Sequence, residues 1–407
     1  MKALNVNSEI GKLKTVLLHE PQEELNNLTP ELLNELLFDD IPWLPLAKKE
    51  HKAFQKALID EGVNIVYLVD AVSEALNVNS KIRNDFILEF VNDSNVVSET
   101  LKEALIKYLK SIKDNKELVL KCIAGIKKED IKSYKKKTLT DLIETSSFIT
   151  NPMPNLYFTR DPFVIIGSGV ALNKMYSETR RRETVFGKYI FKYHPKYKNP
   201  DMYYDRDYDS NIEGGDVLVL NKETLIVGSS ERTSPRAIET LAKNLFFNKK
   251  TDYKRIIVLS IKKQRACMHL DTVLTQVDYD KFAIHEDVSE NLEIYLLEKD
   301  ISKENKLKAT KLNQNLQKVL SKYIGKEVVL IPCGGNDLIA ARREQWSDAS
   351  NTLCISPGVV IVYERNDITN KMLSDYGIKV ITIPSSELSR GRGGPRCMSM
   401  PLEREDI

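Results

Sequence analysis

The stretch Glu213-Gly-Gly-Asp-Val-Leu-Val219 places acidic side chains directly before an apolar run, and the same order recurs along the chain. Three further stretches repeat it: Thr159-Arg-Asp-Pro-Phe-Val-Ile165, His269-Leu-Asp-Thr-Val-Leu274 and Gly334-Gly-Asn-Asp-Leu-Ile-Ala340. Their spacing of roughly 50 to 65 residues fits one supersecondary unit per repeat. The repetition predicts strands that converge on one axis and point their polar heads into a shared pocket.

Short apolar runs rich in Val and Ile predict buried strands across the whole chain. They are Thr15 to Leu18, Ile65 to Val69, Phe163 to Ile166, Val217 to Leu220, Ile256 to Leu259, Val328 to Ile331, Val359 to Tyr363 and Val380 to Ile383. Helical patterns lie between several of them, for example Lys48 to Glu61 and Ser234 to Phe247. The alternation predicts an α/β fold.

One block differs from the rest, because no proline occurs between Pro45 and Pro152 and helical spacing runs from about residue 71 to residue 147. Ser98 is a candidate N-cap for a helix whose apolar face includes Leu101 and Leu105. We interpret residues 71–147 as a helical insertion within a single catalytic domain that spans residues 1–407.

Composition excludes several classes of function. Of 407 residues, 42% are apolar and 29% are charged, yet the net charge is only +2, so no overall field attracts nucleic acid or a membrane surface. No run approaches the roughly 18 apolar residues of a membrane helix, and no leader pattern begins the chain. Five scattered cysteines suit neither a disulfide framework nor a zinc site, and they favour a cytoplasmic protein.

The stretch Ser389-Arg-Gly-Arg-Gly-Gly-Pro-Arg-Cys397 contains the candidate nucleophile, Cys397. Its glycines let the backbone approach a ligand closely, while Arg392 and Arg396 place positive charge beside the thiol and so favour the thiolate. A Gly-rich loop before one cysteine is more often a mobile connector. The residues upstream therefore have to decide between these interpretations.

His269 and Asp271 share one side of a predicted strand, since strand side chains alternate. The pair suits acid and base chemistry, and it could also supply two metal ligands. A third His is missing from any comparable motif, so we expect no metal. Glu213 precedes another strand, where the two following glycines either expose it at the strand mouth or simply form a hairpin turn.

A dense polar stretch, Asn155 to Pro162, holds an amide, an aromatic ring, a cation and a carboxylate ahead of a strand. Such density is typical of a site, although Arg160 and Asp161 could instead form a local ion pair at an ordinary turn. Arg180 and Arg232 each offer a guanidinium that could pair with a carboxylate, unless they are plain surface charge. Together these residues suit a cationic or zwitterionic substrate that bears a carboxylate.

Over essentially its whole length the sequence resembles the arginine deiminases of the guanidino-group-modifying superfamily. Six ordered motifs carry the resemblance: Ser8-Glu-Ile-Gly-Lys-Leu-Lys14, Leu36-Leu-Phe-Asp-Asp40, Phe158-Thr-Arg-Asp161, Glu213-Gly-Gly-Asp216, His269-Leu-Asp-Thr272 and Arg392-Gly-Gly-Pro-Arg-Cys-Met-Ser-Met-Pro401. The resemblance implies a five-bladed, pseudo-fivefold α/β propeller. It also implies the helical insertion, which is expected of bacterial arginine deiminases.

The same resemblance implies hydrolysis of L-arginine to L-citrulline and ammonia, without metal or organic cofactor, by a homodimer or higher homo-oligomer. Asp161 and Asp271 would grip the guanidinium, Cys397 would attack its carbon, and His269, oriented by Glu213, would transfer protons. By residue-wise comparison the implied substrate-binding residues are Asn155, Phe158, Arg180, Arg232, Leu37, Gly391 and Arg392.

Two other functions stay open at this point. One is a superfamily transferase that passes the amidino group to an amine, which citrulline formation from arginine and water alone would exclude. The other is a silent arginine-binding or surface interaction protein. The intact set of Cys397, His269, Glu213, Asp161 and Asp271 argues against such a silent protein, because binding alone does not require this set.

Overall fold

A computed structural model of the chain describes residues 3–131, 139, 147–249, 251–263, 267–285 and 292–407. Within these ranges, five sheets repeat one arrangement: an antiparallel pair of strands, a helix, and a third strand parallel to the second. Such a crossover helix covers one face of each sheet, as expected for βαβ connections.

The first unit consists of β19 (Met400–Arg404), β1 (Leu13–Leu18), α2 (Leu44–Asp60) and β2 (Asn64–Tyr67), and the second of β5 (Phe163–Ile166), β6 (Gly169–Leu172), α7 (Glu183–Tyr193) and β7 (Met202–Tyr204). The third unit consists of β8 (Val217–Asn221), β9 (Thr224–Ser229), α8 (Pro235–Lys243) and β10 (Arg255–Ser260), and the fourth of β11 (Leu274–Gln276), β12 (Lys281–Ile284), α9 (Leu316–Ile324) and β15 (Val329–Pro332). The fifth unit consists of β16 (Leu353–Ser356), β17 (Val359–Tyr363), α11 (Asp367–Asp375) and β18 (Lys379–Ile383).

The remaining elements extend these units. The hairpin β13 (Glu293–Lys299) and β14 (Leu307–Leu312) widens the third sheet beyond β10. A small pair, β3 (Ile126–Lys127) and β4 (Phe148–Thr150), stands apart, as do the short helices α1 (Glu23–Asn26) and α10 (Leu338–Trp346). The mixed α/β class predicted from the sequence is confirmed.

Four consecutive helices occupy most of the block without proline: α3 (Leu68–Leu76), α4 (Ser80–Asn92), α5 (Glu99–Ser111) and α6 (Asn115–Ala124). Ser98 caps α5, since its side chain accepts the N–H of Leu101 at 3.4 Å. Phe86 of α4 packs edge-on against Tyr189 of α7 at 5.2 Å, which joins the block to the second unit. Residues 132–138 and 140–146 of the predicted insertion lie outside the described ranges.

All eight predicted strands are present, with ends shifted by a few residues. The run from Ile65 stops at Tyr67, because Leu68 already begins α3. The fourth predicted repeat is wrong: Asp337 accepts the N–H groups of Ile339 and Ala340 and so starts helix α10 rather than a strand. No helix in the described ranges combines the length and apolar character needed to cross a membrane.

Candidate active site

The polar residues of the site stand just before the first strand of their units. Asp161 precedes β5, Glu213 precedes β8, His269 and Asp271 precede β11, and Cys397 precedes β19. A sixth residue, Asn351, holds the same place before β16 of the fifth unit and was missed in the sequence. The signal that could have revealed it is the apolar run Leu353–Ser356, at whose head the repeat requires a polar side chain.

Asn351 holds the candidate nucleophile, Cys397, at two points. Its side-chain Oδ1 accepts the N–H of Cys397 at 3.0 Å, and its Nδ2 donates to the sulfur of Cys397 at 3.1 Å. Nδ2 also donates to the backbone carbonyl of Asp271 at 3.1 Å. The amide therefore fixes the direction of the sulfur and supplies a donor that favours a thiolate.

The sulfur of Cys397 lies 3.4 Å from Oδ2 of Asp271, in a setting that opposes ionisation. Burial raises the pKa of the Cys397 thiol well above its ordinary value, and the carboxylates of Asp271, Asp161 and Asp348 raise it further, while Arg396 acts in the opposite direction. In the ligand-free site the thiol is therefore protonated.

His269 and Glu213 form the second half of the site. Nε2 of His269 lies 2.8 Å from Oε2 of Glu213, whose other oxygen accepts the N–H of Tyr176 at 2.8 Å. Burial lowers the pKa of His269, but the carboxylates of Asp161, Glu213 and Asp216 outweigh it and raise that pKa to about 9. The imidazole is thus charged at neutral pH and ready to donate a proton.

Arg396 does not face the thiol as a free charge. Its Nη1 donates to Oδ2 of Asp271 at 2.8 Å, and its Nε and Nη2 donate to the two oxygens of Glu9 at 3.1 and 3.2 Å. The arginine therefore ties Asp271 to the N-terminal segment. Oδ1 of Asp271 is buried without a hydrogen-bond partner in the described structure, so it is available to a substrate N–H.

Arg180 and Arg232 occupy different states. Arg180 donates to Oδ2 of Asp161 at 2.9 Å and binds both oxygens of Glu183, so its guanidinium is already paired. Arg232 is 5% exposed and lies over the ring of Tyr176 at 5.5 Å, and its Nε has no hydrogen bond in the described structure, although Oε1 of Glu231 lies 3.8 Å away. Arg232 is therefore the cation better placed to receive a new carboxylate.

The loop before Cys397 packs closely on aromatic side chains. A Cβ on Gly391 would lie 2.2 Å from the hydroxyl oxygen of Tyr157, and one on Gly393 would lie 2.4 Å from the ring of Phe158. Arg392 adopts φ 61° and stacks its guanidinium on Trp346, with the carbon 3.6 Å from the ring centroid. At positions 391 and 393 only glycine lets the loop lie so close to these aromatic side chains.

The predicted residues Leu37 and Asn155 meet at the opposite wall. Leu37 has a left-handed φ of 60°, and Nδ2 of Asn155 donates to the carbonyl of neighbouring Leu36 at 2.5 Å. Asn155 is buried, and Phe158 lies 4.1 Å from Tyr157 between ring centroids. The hydrogen bond from Asn155 holds the backbone directly before the bend at Leu37.

One set of side chains could hold a metal ion. Ligand atoms of Asp161, Glu213 and His269 lie within 4.8 Å of one another, and all three residues are buried. Their lone pairs are already engaged, however, because Glu213 accepts from His269 and Asp161 accepts from Arg180. A metal at this place would have to displace both contacts.

Comparisons with known proteins agree on one family. The profile described as "Arginine deiminase" matches residues 34–404. A protein named arginine deiminase from Clostridium perfringens is 51% identical over 409 residues, covering 100% of this chain and 99% of its own length. Another of that name from Treponema denticola is 50% identical over 410 residues and covers 100% of both chains.

Solved structures of related fold share far less sequence. An amidinotransferase of the saxitoxin biosynthetic pathway from Microseira wollei has a TM-score of 0.55 at 15% identity, covering 100% of this chain and 98% of its own. A dimethylarginine dimethylaminohydrolase variant from Pseudomonas aeruginosa, in complex with citrulline, has a TM-score of 0.52 at 15% identity, covering 96% and 99%. Such likeness concerns the fold alone.

Proposed function

The chain belongs to the arginine deiminase family of carbon–nitrogen hydrolases, which convert L-arginine and water to L-citrulline and ammonia, and we propose that Cys397 performs this reaction through a covalent intermediate. One observation carries the proposal above the others. A buried thiol, a charged imidazole and three carboxylates, drawn from four different units, lie within hydrogen-bond or ion-pair distance of one another.

The guanidinium of arginine binds between Asp161 and Asp271. Such a group is planar and always charged, so paired carboxylates hold it through several charge-assisted N–H bonds. Oδ1 of Asp271 is free to accept one of them. Arg180 already donates a hydrogen bond to Oδ2 of Asp161. Substrate binding therefore requires Arg180 to release Oδ2 of Asp161 while it remains paired with Glu183.

Arrival of the substrate cation also favours the thiolate. A unit charge about 4 Å from the sulfur, at an effective dielectric of about 20, is worth roughly 4 kcal/mol before desolvation. Even about 1.4 kcal/mol shifts the thiol equilibrium tenfold. Cys397 therefore loses its proton to solvent when arginine binds, and the amide of Asn351 stabilises the sulfur anion.

Attack forms a bond between the sulfur and the guanidinium carbon and gives a neutral tetrahedral adduct. His269 donates its proton to the departing nitrogen, the carbon–nitrogen bond breaks, and ammonia leaves behind a cationic thiouronium. Water then adds to this carbon as His269 takes back a proton. The carbon–sulfur bond breaks, the thiolate leaves, and the remaining hydroxyl proton is lost as the oxygen becomes the ureido carbonyl of citrulline.

The opposite end of the substrate binds to cations and amides. Arg232 receives the α-carboxylate, assisted by Arg180 once it has released Asp161. Asn155 contacts the neighbouring polar groups, and Leu37, Phe158, Gly391 and Arg392 close the pocket. The loop that ends at Cys397 acts as a gate that keeps water from the intermediate until ammonia has left.

The whole-chain organisation extends this proposal. The five units arrange as a five-bladed propeller around the pocket. The polar residues just before the first strand of each of the five units support this arrangement. Residues 1–407 form one catalytic domain in which residues 71–147 are inserted. We also propose a cytoplasmic homodimer or higher homo-oligomer, and five cysteines that are all buried fit a reducing compartment.

The test is an assay of citrulline and ammonia on purified protein with arginine as sole substrate. Equimolar products with and without a chelator are expected, since no step uses a metal. Cys397→Ala abolishes both products, and Cys122→Ala, which removes another buried thiol, retains them. Dependence on an added amine would identify a transferase, and loss on chelation that zinc restores would overturn the proton-transfer role of His269.

A further inference from the structure

A second polar cavity lies where the end of helix α4 meets the segment Asn173 to Arg181. Its volume is about 220 Å³, and it is lined by charged and amide side chains. Those that matter for binding are Asp93, Asn173, Lys174, Arg181 and Asp207. This wall shares none of the residues assigned above to catalysis or substrate binding.

Two polar atoms on residues of this wall are buried without hydrogen-bond partners in the described structure: Oδ1 of Asn173 and Nε of Arg181. Asn173 is fully buried, and its Nδ2 donates to the backbone carbonyl of Asp161 at 2.6 Å. Because a carbonyl requires a donor, that contact fixes the amide orientation and leaves Oδ1 as an unused acceptor. Nε of Arg181 is an unused donor.

The charged side chains of the wall also include some that have partners and some that lack them. Arg206 is taken by Glu89 and Asp93, and Arg181 contacts Glu178 only through Nη1. Half-buried Lys174 and exposed Asp207 form no ion pair with any described residue. The residues of this cavity wall therefore include one unpaired cation, one unused donor, one unpaired anion and one unused acceptor.

We propose that this cavity is a second binding site for a free α-amino acid. The ligand's carboxylate binds Lys174 and Nε of Arg181, and its ammonium group binds Oδ1 of Asn173 and Asp207. A zwitterion is the small molecule that satisfies both halves at once, since each buried group gains the partner that it lacks.

The same segment reaches the catalytic centre at three points. Asn173 donates to the carbonyl of Asp161, the N–H of Tyr176 donates to Glu213, and Arg180 pairs with Asp161. A ligand in the cavity fixes Asn173 and Arg181, near the two ends of this segment. Occupancy therefore steadies the residues that hold the two catalytic carboxylates.

Calorimetric titration of the Cys397→Ala variant with L-arginine tests the site, because this variant does not turn the ligand over. Two molecules per chain are expected at saturation. Adding Lys174→Met or Arg181→Met leaves one, and adding Arg232→Ala instead weakens binding of the other. Lys110→Met, on an exposed position of α5, serves as the matched control and leaves two.

Thermal unfolding of each variant shows whether the fold is retained. A single molecule bound to Cys397→Ala up to millimolar arginine, or two retained in Lys174→Met and Arg181→Met, overturns the second site. Citrulline formation by the unmodified protein is measured in parallel. The catalytic proposal stands if that activity is present, whatever the binding count.

Discussion

The side-chain amide of Asn351 donates to the sulfur of Cys397 at 3.1 Å and accepts the N–H of the same residue at 3.0 Å. One side chain thus positions the nucleophile and stabilises its anion. In Asn351→Ala, loss of a hydrogen bond to a charged group, worth about 1.5–3 kcal/mol, lowers kcat about ten- to a hundredfold. Rates of thiol alkylation against pH, measured without arginine, should show a raised thiol pKa.

Asn351→Asp is the matched control, because it keeps an acceptor for the N–H of Cys397 and replaces the donor with a carboxylate. It should raise the thiol pKa more than the alanine variant does. Equal alkylation profiles for the two variants and the unmodified protein would remove Asn351 from the activation of the thiol.

The raised pKa of His269 determines the alkaline limb of activity. The pKa rises from an ordinary 6.5 to about 9, so the proton donor is fully present at neutral pH and is lost as pH rises through about 9. The same sign applies to stability: the charged imidazole contributes below about pH 6.5, and its contribution disappears as pH passes 9. We expect kcat/KM of the free enzyme to fall with that apparent pKa.

Glu213→Gln tests the cause of this limb. The variant removes a carboxylate that lies 2.8 Å from Nε2 of His269 and so shifts the alkaline limb to lower pH. The pH dependence of kcat/KM is the measurement. An unshifted limb would mean that another group titrates there.

Substrate should create the thiolate of Cys397. In the inactive His269→Ala variant, thiolate absorbance at about 240 nm is expected to be absent at neutral pH and to appear on addition of arginine. His269→Ala/Cys397→Ala, titrated identically, supplies the blank. A thiolate already present without arginine, and not increased by it, would contradict activation by substrate.

Arg232 should make the enzyme specific for the free amino acid. Agmatine lacks the α-carboxylate and would leave this buried guanidinium without the hydrogen bonds of that group, so its kcat/KM is expected to be about a hundredfold or more below that of arginine. Arg232→Ala raises KM for arginine, whereas Arg236→Ala, at an exposed position of α8, leaves it unchanged. Similar kcat/KM values for agmatine and arginine would contradict this role of Arg232.

Trp346 should hold Arg392 of the gate in position. The ring is half exposed and supports the guanidinium at 3.6 Å, a contact worth about 0.5–2 kcal/mol. Trp346→Ala is expected to raise KM about three- to tenfold with a smaller change in kcat, and Trp346→Phe, which keeps a ring face, to restore most of it. Steady-state kinetics would contradict this expectation if kcat alone fell.

The sequence was sufficient for what is local. Apolar runs predicted eight strands, and Ser98 was correctly identified as a helix cap, because these features depend on neighbours in the chain. The repeat at Asp337 failed for a reason that is also local, since a cap and a strand head both begin with an acid. Only the structure separates the two, through the N–H groups that Asp337 accepts.

Contacts between residues that are distant in the chain could not be predicted from the sequence. Arg396 was expected beside the thiol, yet its strongest partners are Asp271 and Glu9, the latter 387 positions away. Arg180 was expected as a free clamp but pairs with Glu183 and Asp161. Several carboxylates can satisfy one guanidinium, so which of them does is decided by the assembled units rather than by spacing.

The first sheet has a consequence for how the protein is made. Its strand β1 pairs with β2 and, on the other side, with β19, which emerges from the ribosome after every other strand. Closing that pair joins residues such as Leu17 and Met400, so a long loop must close last. The nucleophile precedes β19 by a few residues. In the proposed mechanism the growing chain therefore carries no functional thiol until its other four units have been synthesised.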